Sequence, residues 1–256
     1  MGPIRVADLF SVSGKTVLIT GGSRGIGMMI ARGFVESGAK VYVSARKKTA
    51  CDAAAKELGC ESIPGDVSTA AGCAALAAEV FAREQRLNVL VNNAGAAWGA
   101  PIAEYSEAGW DKVIDTNVKS IFFLTRELLP LLEKAASADD PARVINVGSI
   151  DGIKAPFLET YAYPASKAAV HHLTRDLAVK LAGKHITVNA IAPGPFESKM
   201  TEWMLEKFQD KFERECPMRR IGRPSDMAGV ALYLASRAGS YVNGVVIPVD
   251  GGFCIT

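Results

Sequence analysis

Tyr163 and Lys167 stand four residues apart in YAYPASK (161–167). On a helix that spacing stacks the two side chains on one face, a turn apart. A free phenol titrates at about 10, too high for ready proton exchange at neutral pH. An ammonium at about 5 Å, in a medium of effective dielectric about 20, favours the phenolate by roughly 3 kcal/mol, or about two pKa units. Pro164 suits a first helical turn, where its missing N–H costs nothing, and the helix N-terminus pushes the phenol the same way. The pair reads as an acid/base couple. Tyr161 has Ala165 at i+4 and lacks such a partner.

Three further features add to the pair. Ser149 follows an apolar run in RVINVGSI, at a place where strand ends of open α/β sheets carry ligand sites. Asn92-Asn93-Ala94-Gly95 follows another such run. Asn117 falls inside a helical pattern, where asparagine is a poor helix former and so marks a polar task.

A second constellation speaks of phosphate. TGGSRGIG (20–27) follows the apolar run TVLIT and opens a helical pattern. Gly21, Gly25 and Gly27 let backbone approach a pyrophosphate, with Ser23, Arg24 and Ile26 between them, and the positive end of the helix dipole faces the anion. The strand–glycine–helix context supports a dinucleotide site. An NAD site wants a carboxylate at the end of the second strand for the ribose hydroxyls. The sequence reads Ser44-Ala45-Arg46-Lys47-Lys48 there. A guanidinium pairs with a 2′-phosphate that a carboxylate would repel, so Arg46, helped by Arg24, predicts NADP(H).

The elements that must hold these groups are legible as seven strand candidates: 16–20, 40–45, 61–64, 88–92, 143–148, 186–192 and 245–250. They are near-continuous apolar runs, as strands covered on both faces are. Helical segments alternate with them, one ending at Ser37-Gly38. The order predicts a single doubly wound, Rossmann-type α/β domain of about seven parallel strands with helices on both faces. Residues 1–12 read as an N-terminal tail and 13–256 as the catalytic, dinucleotide-binding domain. A segment at 194–224 lacks a strand, carries the amphipathic MTEWMLEKFQDKF, and reads as a substrate loop or lid.

Composition limits the function classes. The chain has 256 residues, about half apolar, and a formal net charge of +2 with both signs scattered. That predicts neither a nucleic-acid surface nor a polybasic membrane patch. Five cysteines without C-x-x-C spacing argue against a disulfide framework or zinc site, and adjacent His171 and His172 point apart on a helix, so no metal is expected. No run reaches the ~20 apolar residues of a membrane span, and the N-terminus shows no signal pattern. A cytoplasmic protein is expected.

Taken together, TGGSRGIG, Asp66-Val67, NNAG (92–95), Asn117, Ser149, YPASK (163–167) and Pro193-Gly194 resemble the short-chain dehydrogenase/reductase family in order and spacing, from about Lys15 to Phe253. The resemblance implies roles. Tyr163 gives a proton to a carbonyl, and Lys167 holds the nicotinamide ribose. Ser149 bonds the carbonyl oxygen as charge develops on it, and Asn117 anchors a relay water. Asp66 and Val67 bind the adenine, while Asn93, Ala94 and Gly95 line the adenosine ribose. Pro193 and Gly194 shape the nicotinamide pocket, followed by a mobile loop with Glu197, Ser198 and Met200. NNAGAAWGAP and PVDGGF resemble the 3-oxoacyl (β-ketoacyl) reductases, particularly the type associated with rhamnolipid synthesis. The resemblance also implies a homotetramer, with 107–135 and 160–183 as candidate interface helices.

Trp98, Ile150, Phe157, Phe196, Met200 and Trp203 are expected to wall the substrate site. They are apolar and favour an acyl thioester or similar hydrophobic ketone. Arg219, Arg220 and Arg223 are candidates for a basic rim facing an acyl carrier protein. Two other readings stand beside an NADPH-dependent ketone reductase: the same scaffold acting on a steroid, sugar or xenobiotic, and a non-catalytic NADP(H) sensor. The Ser149, Tyr163, Lys167 and Asn117 set argues against the sensor, which has no use for a tuned phenol.

Overall fold

The computed structural model describes residues 5–198 and 202–255, without the side chains of 202–205. Among the described residues, seven strands form one parallel sheet: β1 (Thr16–Thr20), β2 (Lys40–Ser44), β3 (Glu61–Ser62), β4 (Val89–Asn92), β5 (Ala142–Val147), β6 (Ile186–Pro193) and β7 (Val246–Val249). Their order is β3-β2-β1-β4-β5-β6-β7, so the chain reverses its winding between β1 and β4. Such a switch point opens a crevice at the carboxyl ends of the strands. The third strand is shorter than the sequence suggests: beyond Ser62, Pro64 has no N–H to give, although the Ile63 and Gly65 N–H groups still donate to the carbonyls of Val43 and Ala45 at 2.9 and 3.1 Å.

Nine helices cover the faces among the described residues: α1 (Val6–Leu9), α2 (Gly25–Glu36), α3 (Lys48–Leu58), α4 (Ala70–Arg83), α5 (Glu107–Ile114), α6 (Ser120–Ala135), α7 (Ala162–Leu181), α8 (Glu202–Glu215) and α9 (Pro224–Ala235). Local chemistry starts several of them. Thr69 accepts from the Gly72 N–H at 3.0 Å to cap α4, and Ser106 accepts from the Gly109 N–H at 3.1 Å to cap α5. Pro224 opens α9, and the Asp226 carboxylate accepts from the Arg223 N–H at 2.8 Å.

Side chains alternate across the sheet and build two cores. Val17, Ile19 and Val43 pack on Ile30 and Phe34 of α2 and on Met227 and Leu234 of α9. Leu18, Leu90, Val144 and Val188 face the other way, onto Leu76 and Val80 of α4, Leu128 and Leu131 of α6, and Leu177 of α7. Burial on both faces is why the strands are apolar throughout. Val12 belongs to the first core with no exposed surface, so the packed unit begins just before the boundary read from the sequence. Among the described residues, no helix is long and apolar enough to cross a membrane.

Candidate active site

The carboxyl end of β5 and the first turns of α7 carry the acid/base pair. The Ala162 N–H at the head of α7 donates to the Tyr105 hydroxyl at 3.2 Å, and that hydroxyl donates to the Trp98 carbonyl at 3.1 Å. The start of the helix is thereby tied to the loop after β4. Tyr161 turns outward onto Tyr105, ring centroids 5.5 Å apart, and its hydroxyl donates to Glu159 at 3.1 Å. Tyr163 faces the cleft, and its phenol lies beside the hydroxyl of Ser149, close enough for that hydroxyl to draw its pKa down. The two tyrosines of the motif are thus separated into a packing residue and a cleft residue.

Lys167 is buried, and its Nζ donates to the carbonyl of Val147, the last residue of β5, at 2.8 Å. It lies 5.5 Å from the centroid of the Tyr163 ring. The two side chains are neighbours, as their spacing predicts, but the phenol is not lowered. Burial pushes the Tyr163 phenol up to about 12, the charge of Asp151 adds to the rise, and the Ser149 hydroxyl opposes it. Lys167 is not among the charges that move the phenol: its ammonium lies over the ring face and is anchored on the Val147 carbonyl, and burial lowers its own pKa to about 8. At neutral pH the group facing the cleft is a protonated phenol, the form a proton donor needs.

Asn117 sits in a π-turn, Asp115–Lys119, between α5 and α6. Its Oδ1 accepts from the Ala96 N–H at 2.7 Å, and its Nδ2 donates to the Ala96 carbonyl at 3.0 Å and to Ser166 Oγ at 2.9 Å. The side chain therefore pins the loop after β4 to α7. A Cβ added to Gly95 would lie 3.4 Å from Asn117 Oδ1 and 3.9 Å from Lys167 Nζ, so these groups meet at one point.

The glycine loop ends β1. Gly21 has φ +65°, a conformation that side chains disfavour, and a Cβ there would come 2.8 Å from Asn93 Nδ2; at Gly27 it would come 2.4 Å from the same atom. Asn93 Nδ2 donates to the carbonyls of Thr20 and Gly21 at 2.9 and 3.1 Å, and Thr20 Oγ1 accepts from the N–H groups of Asn93 and Ala94 at 3.0 Å each. The Asn93 side chain is thus a clamp on the loop. Across the loop, a Cβ on Gly25 would meet Ser198 Cβ at 3.0 Å, so the segment after β6 passes over the glycines. Arg24 and Arg46 are exposed on the same edge, and Ser44 Oγ at the end of β2 is buried without a partner among the described residues. A backbone cradle at the head of α2 with two guanidinium groups beside it fits a dinucleotide carrying a further phosphate. Asp66 is exposed and Val67 buried beyond β3, where Asp66 accepts from the Ser68 N–H at 3.0 Å. Pro193 closes β6, and the Gly194 N–H donates to the Val249 carbonyl at 3.0 Å.

The expected substrate walls divide. Trp98 is partly exposed, with Lys112 Nζ 5.2 Å from its ring. Ile150 is buried behind Ser149. Phe157 is half-exposed and meets Phe208 and Phe212 of α8 at centroid distances of 5.7 and 6.1 Å. Phe196 is 2 % exposed in the first core, its ring pressed on Gly222; it supports the loop and does not face the cleft. Met200 and the side chain of Trp203 lie outside the described residues. Of the proposed basic rim, Arg220 is paired with Asp226 at 2.6 Å, and Arg219 donates to the Arg214 carbonyl.

Two residues escaped the motif reading. Asp151 follows Ser149 by two positions and faces Lys167 and Tyr163. His171 lies one turn beyond Lys167, its ring against Gly152, and its Nε2 is buried without a partner among the described residues. The i, i+4, i+8 run Tyr163-Lys167-His171 was the available signal.

The sheet order, the glycine loop on the switch point and the serine–tyrosine–lysine corner define a dinucleotide-dependent oxidoreductase architecture. Comparison with known proteins agrees. The family model described as enoyl-(acyl carrier protein) reductase matches residues 21–254. The rhamnolipids biosynthesis 3-oxoacyl-[acyl-carrier-protein] reductase of Pseudomonas aeruginosa is 49% identical over 250 residues, covering 95% of this chain and 98% of that one. The galactitol 2-dehydrogenase (L-tagatose-forming) of Cereibacter sphaeroides is 38% identical, covering 96% and 98%. Among solved structures, the Pseudomonas aeruginosa RhlG/NADP active-site complex superposes with a TM-score of 0.94 at 48% identity, covering 96% of this chain and 99% of that one. The chain belongs to the short-chain dehydrogenase/reductase family.

Proposed function

We propose that this protein is an NADPH-dependent reductase that converts a ketone to a secondary alcohol, with a 3-oxoacyl thioester or similar hydrophobic ketone as substrate. The observation that carries the reading is the meeting of two hydroxyls, Ser149 and Tyr163, over the buried Lys167 beside the glycine loop. Two hydroxyl donors at one point suit an oxygen that gains negative charge. The bound nicotinamide supplies the hydride. Gly21, Ser23, Gly25, Ile26 and Gly27 hold its pyrophosphate, Arg24 and Arg46 the 2′-phosphate, and Asp66 and Val67 the adenine. Ser149 orients the carbonyl, Tyr163 gives its proton to the oxygen, and Lys167 fixes the nicotinamide ribose. Asn117 holds the loop after β4 against α7 so that these groups stay aligned. The relative from Pseudomonas, named for 3-oxoacyl-carrier substrates, and the aromatic contacts of Phe157 support the acyl assignment. The protein is read as acting as a homotetramer in the cytoplasm, on an acyl thioester.

Loss of NADPH absorbance against a panel of 3-oxoacyl thioesters, enoyl thioesters, cyclic ketones and sugars tests this. Thioester ketones are expected to give the highest kcat/KM. A second reading, a polyol or sugar substrate, draws on the galactitol 2-dehydrogenase relative; preferred turnover of keto-sugars would establish it in place of the first.

A further inference from the structure

Asp151 lies in the short 3-10 turn Ile150–Gly152 that follows Ser149. Three contacts fix this turn. The Asp151 N–H donates to Ser149 Oγ at 3.1 Å, and the Gly152 N–H donates to the Ser149 carbonyl at 3.0 Å. Gly152 presses so closely on α7 that a Cβ on it would come within 2.7 Å of the Lys167 carbonyl carbon and 2.8 Å of His171 Cε1. The turn therefore delivers its carboxylate to the corner where Ser149, Tyr163 and Lys167 meet. That carboxylate has neither a hydrogen bond nor an ion pair among the described residues, and its charge acts on both Tyr163 and Lys167. Burial pushes its pKa up to about 6, with Lys167 drawing it back, so it is mostly ionised at neutral pH.

We propose that Asp151 is a specificity-determining residue that rejects ketones bearing a carboxylate one carbon away from the reacting carbonyl, as in a 3-oxo acid, and leaves neutral esters and thioesters as substrates. The inference rests on the reading that Ser149 and Tyr163 hold the carbonyl oxygen. A free 3-oxo acid would bring its own negative charge within several ångströms of Asp151 in a poorly hydrated cleft. At an effective dielectric of about 20, repulsion over that distance is worth about tenfold or more in binding. A thioester of the same chain carries no such charge. The filter would thus separate activated acyl chains from their hydrolysed acids.

The test compares kcat/KM with NADPH for 3-oxobutanoate and for its ethyl ester, in the wild type, Asp151→Asn and Asp151→Ala. The acid-to-ester ratio is expected to rise by about tenfold or more in both variants. Any effect of Asp151 on the Tyr163 phenol acts on both substrates alike and cancels in the ratio. The wild type supplies a second readout that needs no variant. Its ratio should climb as pH is lowered from about 7 to about 5 and Asp151 takes up a proton. Lys167, Tyr163 and His171 face this turn from α7, and Lys154 follows it. In that window Lys167 is already charged, Tyr163 stays a phenol, and His171, held down to about 4, stays neutral. A ratio that does not move, either with substitution or with pH, overturns the inference while leaving the reductase reading intact. If neither the ester nor any other neutral ketone is reduced by the wild type, the reductase reading falls and the filter falls with it.

Discussion

At the residue scale, the site holds a phenol that prefers its proton and an amine that prefers to lose one. Both preferences come first from burial. Tyr163→Phe removes the donated proton and keeps the ring over which Lys167 lies. Turnover should fall by at least about a thousandfold, with NADPH affinity by fluorescence titration changed less than about threefold. Comparable turnover in that variant would remove Tyr163 from the mechanism. Lys167→Met removes a buried ammonium as well as a catalytic group, so activity should be lost while the protein without nucleotide becomes more stable, by about 1–3 kcal/mol. The sign follows from linkage. The folded pKa of Lys167, about 8, lies below its ordinary 10.5, so between these values the unfolded chain binds more protons. Its share of stability grows as pH rises through that window and is lost as pH falls through about 8. Denaturant midpoints measured from about pH 7 to 10 should show this slope in the wild type and not in the variant. As for the 2′-phosphate, Arg46→Glu should cut the NADPH-over-NADH preference by about tenfold or more, read from the two Kd values. Equal preference in the variant and wild type would place that phosphate elsewhere.

At the scale of elements, the site depends on seams between segments far apart in sequence. Asn117 joins the loop after β4 to α7 through Ala96 and Ser166, and its place in a π-turn is what aims it inward. Asn117→Ala leaves the Ala96 N–H and carbonyl without these partners. It should cost about 1–3 kcal/mol of stability by chemical denaturation and lower kcat more than it raises KM. The outlier asparagine was visible as a misfit in a helical pattern, but the π-turn that gives it direction was not, because hydrogen-bond phase within a helix leaves no mark on apolar periodicity. The glycine loop is legible as a strand-to-helix turn from its residues alone. That Asn93 clamps it could not be read, since the contact joins the ends of β1 and β4, which neighbour each other only in the sheet.

At the scale of the whole molecule, exposed aromatic surface remains on the helices expected to meet other subunits. Trp110 and Phe122 are each more than two-fifths exposed, and Arg126 lies 4.7 Å over the ring of the neighbouring Phe123. Large exposed rings on a helix face are a common mark of an interface. If the chain assembles as the proposed homotetramer, Phe122→Glu should shift the mass in sedimentation velocity toward smaller species; an unchanged assembly would place the interface on another face.

The sheet and its alternation with helices followed from the sequence alone, because strands covered on both sides must be apolar along their whole length, and period and length then distinguish them from helices. The motifs likewise located the glycine cradle and the acid/base helix, since each is a local pattern of residue types, whereas the switch point between β1 and β4 is a matter of strand order that only the sheet shows. Burial and charge proximity required the fold. Whether Lys167 lowers the phenol of Tyr163 depends on where its Nζ is anchored, whether Phe196 walls the cleft depends on Gly222, and the part of Asp151 depends on a turn folded against α7. Spacing gives neighbours along a chain, whereas desolvation and Coulomb energies depend on everything that surrounds a group in space, and only the packed structure assembles those surroundings.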